Sequence, residues 1–259
     1  MKEYRTNEIY GDLYENDGKP LVIVLGGSRP GLPIIGGDLL KYLKSNYNVL
    51  LLAYFGVGNL PKTLERFPIE YFIKAINFIM EILKLNNSQV VIIGNSKGGE
   101  AALLLSNYFE SAITIACVSG CYVFQGLPIN SFSMKHPKSS WSLNNIEMPY
   151  IKFYYDKEVI RDAENNIYST CYEKSIENNF NKDALISIEQ YNGKILLLSA
   201  ENDKYWPSKK MSSILVENSI KKDNIKHIVL DLEGHYFLEY DKSSQNIITF
   251  LKKNAQSLA

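Results

Sequence analysis

Cysteine and histidine are scarce in this chain, and net charge is absent. Among 259 residues there are three cysteines and three histidines, and 28 Lys and Arg balance 28 Asp and Glu. Cys117, Cys121 and Cys171 form neither an even nor a dense set, so a disulfide framework is excluded. The pair in CVSGC has no histidine nearby to complete a soft-metal site, and no metal or other cofactor is expected. Free thiols in a reducing compartment account for all three. A formal net charge of +0 supplies no basic field for phosphate backbones or anionic lipid, so no nucleic-acid partner is expected. No apolar run approaches the roughly 18 residues of a membrane helix, and the opening MKEYRTNEIYGDLYENDG lacks the apolar region of a signal peptide. These absences lead to the expectation of a soluble, cytoplasmic protein without a membrane span.

What is present is a repeated pattern of buried strands. KPLVIVLGG, NVLLLAYFG, QVVIIGN, SAITIACVSG, GKILLLSAEND and IKHIVLDLEG each carry a short, nearly continuous apolar run closed by Gly, Asn, Asp or Ser. Such runs suit strands covered on both faces, which means a parallel sheet. Residues with helical period lie between them: Leu39, Leu40 and Leu43, then Phe72, Ala75, Ile76, Ile79 and Leu83, then Ala101, Leu104 and Leu105. The alternation predicts an α/β fold with a mostly parallel, doubly wound sheet and helices on both faces. A single domain is expected over 1–259. Its order is interrupted by a polar, aromatic segment at about 121–182, read as a lid or cap, and the last helix is placed at SSQNIITFLKKNAQ. In such a sheet, ligands bind beyond the carboxyl ends of the strands.

The stretch QVVIIGNSKGGEAALLL passes from strand to helix through glycines around Ser96. A phosphate loop needs Lys and Ser or Thr after its second glycine, whereas Glu100 follows Gly99 and repels phosphate. A dinucleotide loop needs Gly-x-Gly-x-x-Gly, and Ser96 stands where its second glycine belongs. Gly-x-Ser-x-Gly between a strand and a helix fits the nucleophile elbow, although so short a match also describes a plain tight turn. On the catalytic reading, the Lys97 backbone N–H is one oxyanion donor. The second comes from GGSRPG after the first core strand, from Gly27 or Ser28.

A serine nucleophile requires a base and an acid in the order this architecture uses. His136 sits beside Pro137 in the irregular segment and His227 at a strand edge, both read as structural or solvent-facing. His235, in DLEGHYF after the last strand, is the histidine able to reach Ser96. SAENDKYWPS offers Asp203, further into its loop, with Glu201 in reserve. The chain order Ser96, Asp203, His235 is the hydrolase order. Tyr54, Phe55, Tyr122, Phe124, Phe132 and Trp141 lie near strand ends or in the interruption, as acyl-pocket lining or as packing.

LAYFGVGNLPKTLERFPIEYFIKAINFI, IIGNSKGGEAALLL, SAENDKYWPS and EGHY resemble the C-terminal catalytic domain of the acyl-CoA thioesterases and bile acid-CoA:amino acid N-acyltransferases, a branch of the α/β-hydrolase superfamily. The resemblance runs in family order from about Leu21 to the last helix. It implies a Ser96, Asp203, His235 triad, no cofactor, and an acyl-CoA thioester as the small-molecule substrate. Serine as nucleophile implies hydrolysis, since cysteine members tend toward acyl transfer to an amino acid. Trp206 and Ser208 match the family's pattern after the acid and are read as packing and helix-start residues. Two departures stand out. The first core strand begins near Leu21, so the β-sandwich domain preceding the animal hydrolase domains is expected to be absent, and GHYFLEYDKSS lacks the prolines that often follow the family's histidine. A carboxylester hydrolase, an acyltransferase to a small amine or alcohol, or a non-catalytic hydrolase-fold binding protein are the alternatives.

Overall fold

The six apolar runs lie side by side as the parallel part of an eight-stranded sheet in the computed structural model, which describes residues 1–258. In chain order the strands are β1 (Lys2–Arg5), β2 (Tyr10–Tyr14), β3 (Leu21–Leu25), β4 (Asn48–Ala53), β5 (Phe67–Pro68), β6 (Val90–Asn95), β7 (Ile113–Cys117), β8 (Trp141–Leu143), β9 (Ile146–Glu147), β10 (Lys194–Ala200) and β11 (Ile225–Leu230). The main sheet has the order β1-β2-β4-β3-β6-β7-β10-β11. Every pairing from β4 to β11 is parallel, while the β1-β2 hairpin joins the edge antiparallel. That hairpin was not among the expected strands, because four- and five-residue edge strands covered on one face carry little apolar signal.

The sheet is covered on both sides, as continuous apolar runs require. Leu21, Ile23 and Leu25 of β3 pack with Phe72 and Ile76 of α2 (Ile69–Leu83), Leu103 of α3 (Lys97–Leu105), and Met211 and Leu215 of α7 (Ser208–Asn218). Val22 and Val24 face the other way, toward Leu39 and Leu43 of α1 (Gly37–Asn46) and Ile247 and Leu251 of α8 (Asp241–Lys253). Each such side chain contributes roughly 1.5–3 kcal/mol of transfer free energy on burial. This is the doubly wound α/β architecture that the sequence predicts.

From β3 the chain goes first to β4 on one flank and later to β6 on the other. The reversal opens a crevice at the carboxyl ends of β3 and β6, where Gly27 and Ser96 follow their strands. The segment 121–182 contains α4 (Ser131–Lys135), β8, β9, α5 (Lys157–Glu164) and α6 (Ser169–Asn178). It is joined to the main body by β5, which pairs with β8 through Phe67 and Trp141. Its helices are hard to read from sequence for a physical reason: α5 is only eight residues long and turns its short apolar face, Val159, Ile160 and Ala163, to a cavity, while α6 buries only Cys171 and Ser175. Among the described residues, no helix is long and apolar enough to cross a membrane.

Candidate active site

Ser96 is a single residue between the end of β6 and the start of α3, with φ 56° and ψ −120°. A non-glycine residue pays roughly 1–3 kcal/mol to occupy such a region and stays there only when its surroundings impose it. The flanking glycines show how they do. A Cβ on Gly94 would lie 1.9 Å from the Gly98 carbonyl oxygen, and one on Gly98 would lie 2.2 Å from the carbonyl oxygen of Gly26. Strand, helix start and the loop after β3 therefore meet at backbone contact, and the Ser96 N–H is secured by the Cys117 carbonyl at 2.9 Å.

The structure brings Ser96, His235 and Asp203 together. His235 Nε2 is 2.8 Å from Ser96 Oγ, and Nδ1 is 2.9 and 3.0 Å from the two Asp203 carboxylate oxygens. An Nδ1–H that donates to the Asp203 carboxyl oxygens leaves Nε2 as the acceptor of the ring, within reach of Ser96 Oγ. Asp203 is held by the backbone N–H groups of Tyr205 and Trp206, at 3.0 and 3.3 Å from Oδ1. All three side chains are buried, which keeps these contacts out of competition with bulk water. Glu201 is exposed and pairs with Lys209 instead. His136 is exposed at the end of α4, and His227 on β11 bonds Ser199 at 2.8 Å.

Two residues were missed as parts of this site. The Trp206 indole N–H lies 2.7 Å from His235 Nε2 and 3.2 Å from Ser96 Oγ, so Trp206 does more than pack. The available signal was its position after the acid, together with the need of a buried indole N–H for an acceptor. Asn95, just before the serine, donates to the His235 carbonyl at 3.1 Å and accepts from the Phe237 N–H at 3.0 Å, pinning the histidine loop to the end of β6. Ser208 opens α7 as read from the sequence.

Gly27 lies against the serine: a Cβ there would sit 3.1 Å from Ser96 Cβ. Ser28 and Gly27 line the same cavity as Ser96. The N–H of Lys97 is among the first of α3, where helical N–H groups have no intrahelical partner and the helix dipole is positive. The Lys97 side chain runs into the core, where its Nζ meets Glu100 at 2.9 and 3.1 Å and Ser140 Oγ at 2.8 Å. Trp141 donates its indole N–H to the same carboxylate at 2.7 Å. Burial pushes Lys97 below and Glu100 above the ordinary values, and each partner opposes the other's shift.

Two cavities meet at Ser28, Ser96, Tyr205 and His235. The larger, about 800 Å³, is walled mainly by apolar side chains including Leu127, Ile129, Phe153, Val159 and Tyr172. The smaller, about 210 Å³, lies against the Gly26 to Arg29 backbone with Arg29 and Glu239 at its border. None of the six aromatics singled out from the sequence lines the larger cavity: Tyr54, Phe124 and Trp141 are packed in the core and Phe132 is exposed. Among the described residues, no three His, Cys, Asp or Glu side chains are grouped to hold a metal ion.

A family model described as BAAT / Acyl-CoA thioester hydrolase C terminal matches residues 67–239. Acyl-coenzyme A amino acid N-acyltransferase 2 of Rattus norvegicus is 26% identical over 211 residues, covering 80% of this chain and 47% of that protein. Acyl-coenzyme A thioesterase 1 of Mus musculus is 24% identical over 211 residues, covering 78% and 46%. The chain thus spans just under half the length of these relatives. Among solved structures, a lipase-esterase related protein from Clostridium acetobutylicum aligns with a TM-score of 0.55 at 18% identity, over 95% of this chain and 99% of that one. Mouse alpha/beta hydrolase domain-containing protein 10 aligns at 0.60 and 13%, over 97% and 95%. At those identities the likeness is one of fold. Family match and fold converge: the chain belongs to the BAAT / acyl-CoA thioester hydrolase C-terminal family and has the α/β-hydrolase fold.

Proposed function

We propose that this chain is a serine hydrolase that cleaves acyl-CoA thioesters, with Ser96 as nucleophile, His235 as general base and then acid, and Asp203 as the group that holds the imidazole tautomer. The observation that carries the reading is the His235 ring bridging Ser96 Oγ and Asp203, at 2.8 and 2.9 Å, beside a serine held at φ 56°. In the reaction Oγ attacks the acyl carbon while its proton passes to Nε2. The resulting oxyanion is stabilised by the N–H of Lys97 and that of Gly27 or Ser28. The C–S bond breaks, His235 protonates the departing thiolate, and water activated by the same imidazole releases the acid. The larger cavity suits the acyl chain, because its walls are apolar and it opens at Ser96. We read residues 1–259 as one hydrolase domain with 121–182 as its cap. Three unpaired thiols fit a reducing, cytoplasmic setting.

The test is thiol release from acyl-CoAs of increasing length, beside nitrophenyl esters, with wild type and Ser96→Ala. Release that falls at least about 10³-fold in the variant is expected, and a variant that keeps its activity refutes the reading. A second reading is acyl transfer to a small amine, favoured by the N-acyltransferases among the relatives and by the smaller cavity beside Ser96. Amide product formed with an added amino acid, in place of free acid, would select it.

A further inference from the structure

We infer that Tyr54 is the positioning residue that holds the oxyanion loop in its working orientation, an inference resting on the serine-hydrolase reading above. Tyr54 follows β4 rather than β3 or β6, so neither the elbow pattern nor the acid and base order points to it. Its hydroxyl lies 2.8 Å from the carbonyl oxygens of both Gly26 and Gly27, two successive peptide groups. In a trans peptide the C=O and the following N–H point in opposite directions. The single O–H, shared between the two carbonyls, keeps both on the Tyr54 side and so turns the N–H groups of Gly27 and Ser28 away from it. Gly26, Gly27 and Ser28 line the cavity together with Ser96, whereas Tyr54 is not among its lining residues.

The loop needs such a hold. Gly26 and Gly27 have no side chains to restrain the backbone; the Gly26 carbonyl is also wedged against Gly98, so the Gly27–Ser28 peptide is the one that depends most on the hydroxyl. A flip would point a carbonyl oxygen at the developing oxyanion and replace attraction by repulsion. Tyr54 is itself fixed. It is 2% exposed, and its ring is packed among Phe55, Phe67, Phe72 and Trp141 with centroids 5.3 to 5.9 Å away. Burial holds its hydroxyl well above the usual phenol range, so it stays protonated and able to donate at any working pH. Trp141, from the same cluster, anchors Glu100 and through it Lys97, whose N–H is the other proposed donor. One aromatic cluster thus supports both halves of the oxyanion site.

The experiment compares wild type, Tyr54→Phe and Ser96→Ala on octanoyl-CoA and nitrophenyl octanoate. It adds inhibition by an octylthio trifluoromethyl ketone and by octanoate. The ketone forms an adduct in which Ser96 Oγ bonds the carbonyl carbon, its proton moves to His235 and the carbonyl oxygen takes the negative charge, so its affinity reports the oxyanion site. Octanoate reports only the acyl cavity. For Tyr54→Phe the expected result is a kcat about 10- to 100-fold lower, short of the full loss of a donor. KM and octanoate affinity should stay within about 3-fold, and ketone affinity should fall by the same factor as kcat. An unchanged kcat with a silent Ser96→Ala overturns the role of Tyr54 and leaves the serine mechanism standing. Octanoate affinity falling in step with kcat marks general damage to the pocket and also overturns it. Activity retained in Ser96→Ala overturns the serine mechanism, and this inference with it.

Discussion

Replacing Glu100 by Gln keeps the side chain's size and removes its charge, leaving the Lys97 ammonium without a counter-ion at 1% exposure. Lys97 now has two contacts to the carboxylate, at 2.9 and 3.1 Å, and one to Ser140. Removing one partner of a buried pair costs about 3–5 kcal/mol, because the survivor has lost both water and attraction. For a domain of this size that corresponds to a fall of roughly 6–20 °C in unfolding temperature. The loss should also depend on pH. Burial already lowers Lys97 and only Glu100 opposes it, so in Glu100→Gln its folded value falls further. The unfolded chain then binds a proton that the folded one does not, and stability rises with pH from the depressed value up to the ordinary lysine value near 10.4. Lys97→Met combined with Glu100→Gln removes both charges and retains an amide oxygen to accept from Trp141. It should recover to within about 2 kcal/mol of wild type. Urea unfolding followed by the fluorescence of the two tryptophans, Trp141 and Trp206, measures all four corners of the cycle. A Glu100→Gln protein within 1 kcal/mol of wild type, or a double variant no better than the sum of the singles, would refute this account of the pair.

Three further outcomes follow from particular contacts. Gly94→Ala places a methyl 1.9 Å from the Gly98 carbonyl oxygen, where only backbone can yield, so a loss of about 3 kcal/mol together with hydrolysis is expected; a fully active, stable variant contradicts the close packing of the elbow. Val159→Trp fills part of the larger cavity, and kcat/KM for long acyl chains should drop about 10-fold or more while short chains are spared; equal effects on both would remove the acyl chain from that cavity. Burial raises the thiols of Cys117 and Cys121 and pushes Cys171 up to about 11, so iodoacetamide at pH 8 should label the native protein far more slowly than the urea-unfolded chain, as counted by mass spectrometry. The sign is that of raised groups: the unfolded thiols ionise first, and stability declines as pH rises past about 8.5.

Much of this molecule was legible before folding. The six core strands could be read because residues covered on both faces must be apolar at consecutive positions, as in LVIVL of β3 and VVII of β6. Chain order and the shortage of histidines point to His235 and Asp203, and the structure places His235 between Ser96 and Asp203. The β1-β2 hairpin and the helices of 121–182 are hidden, because their buried positions are few or polar and their apolar runs too short to repeat.

What the sequence by itself determined is the layered sheet, the place of the glycine turn and a short list of groups able to do acyl chemistry, since these depend on neighbours in the chain and on composition. Only the tertiary structure decided that Trp206 donates to His235 and Ser96, that Asn95 pins the histidine loop, and that Tyr54 holds two carbonyls of a loop more than 20 residues away. It also decided that the larger cavity beside Ser96 is walled by residues none of which the sequence singled out as lining. These are contacts between segments remote in the chain, where a hydroxyl or an indole N–H takes its role from whatever acceptor the fold carries to it.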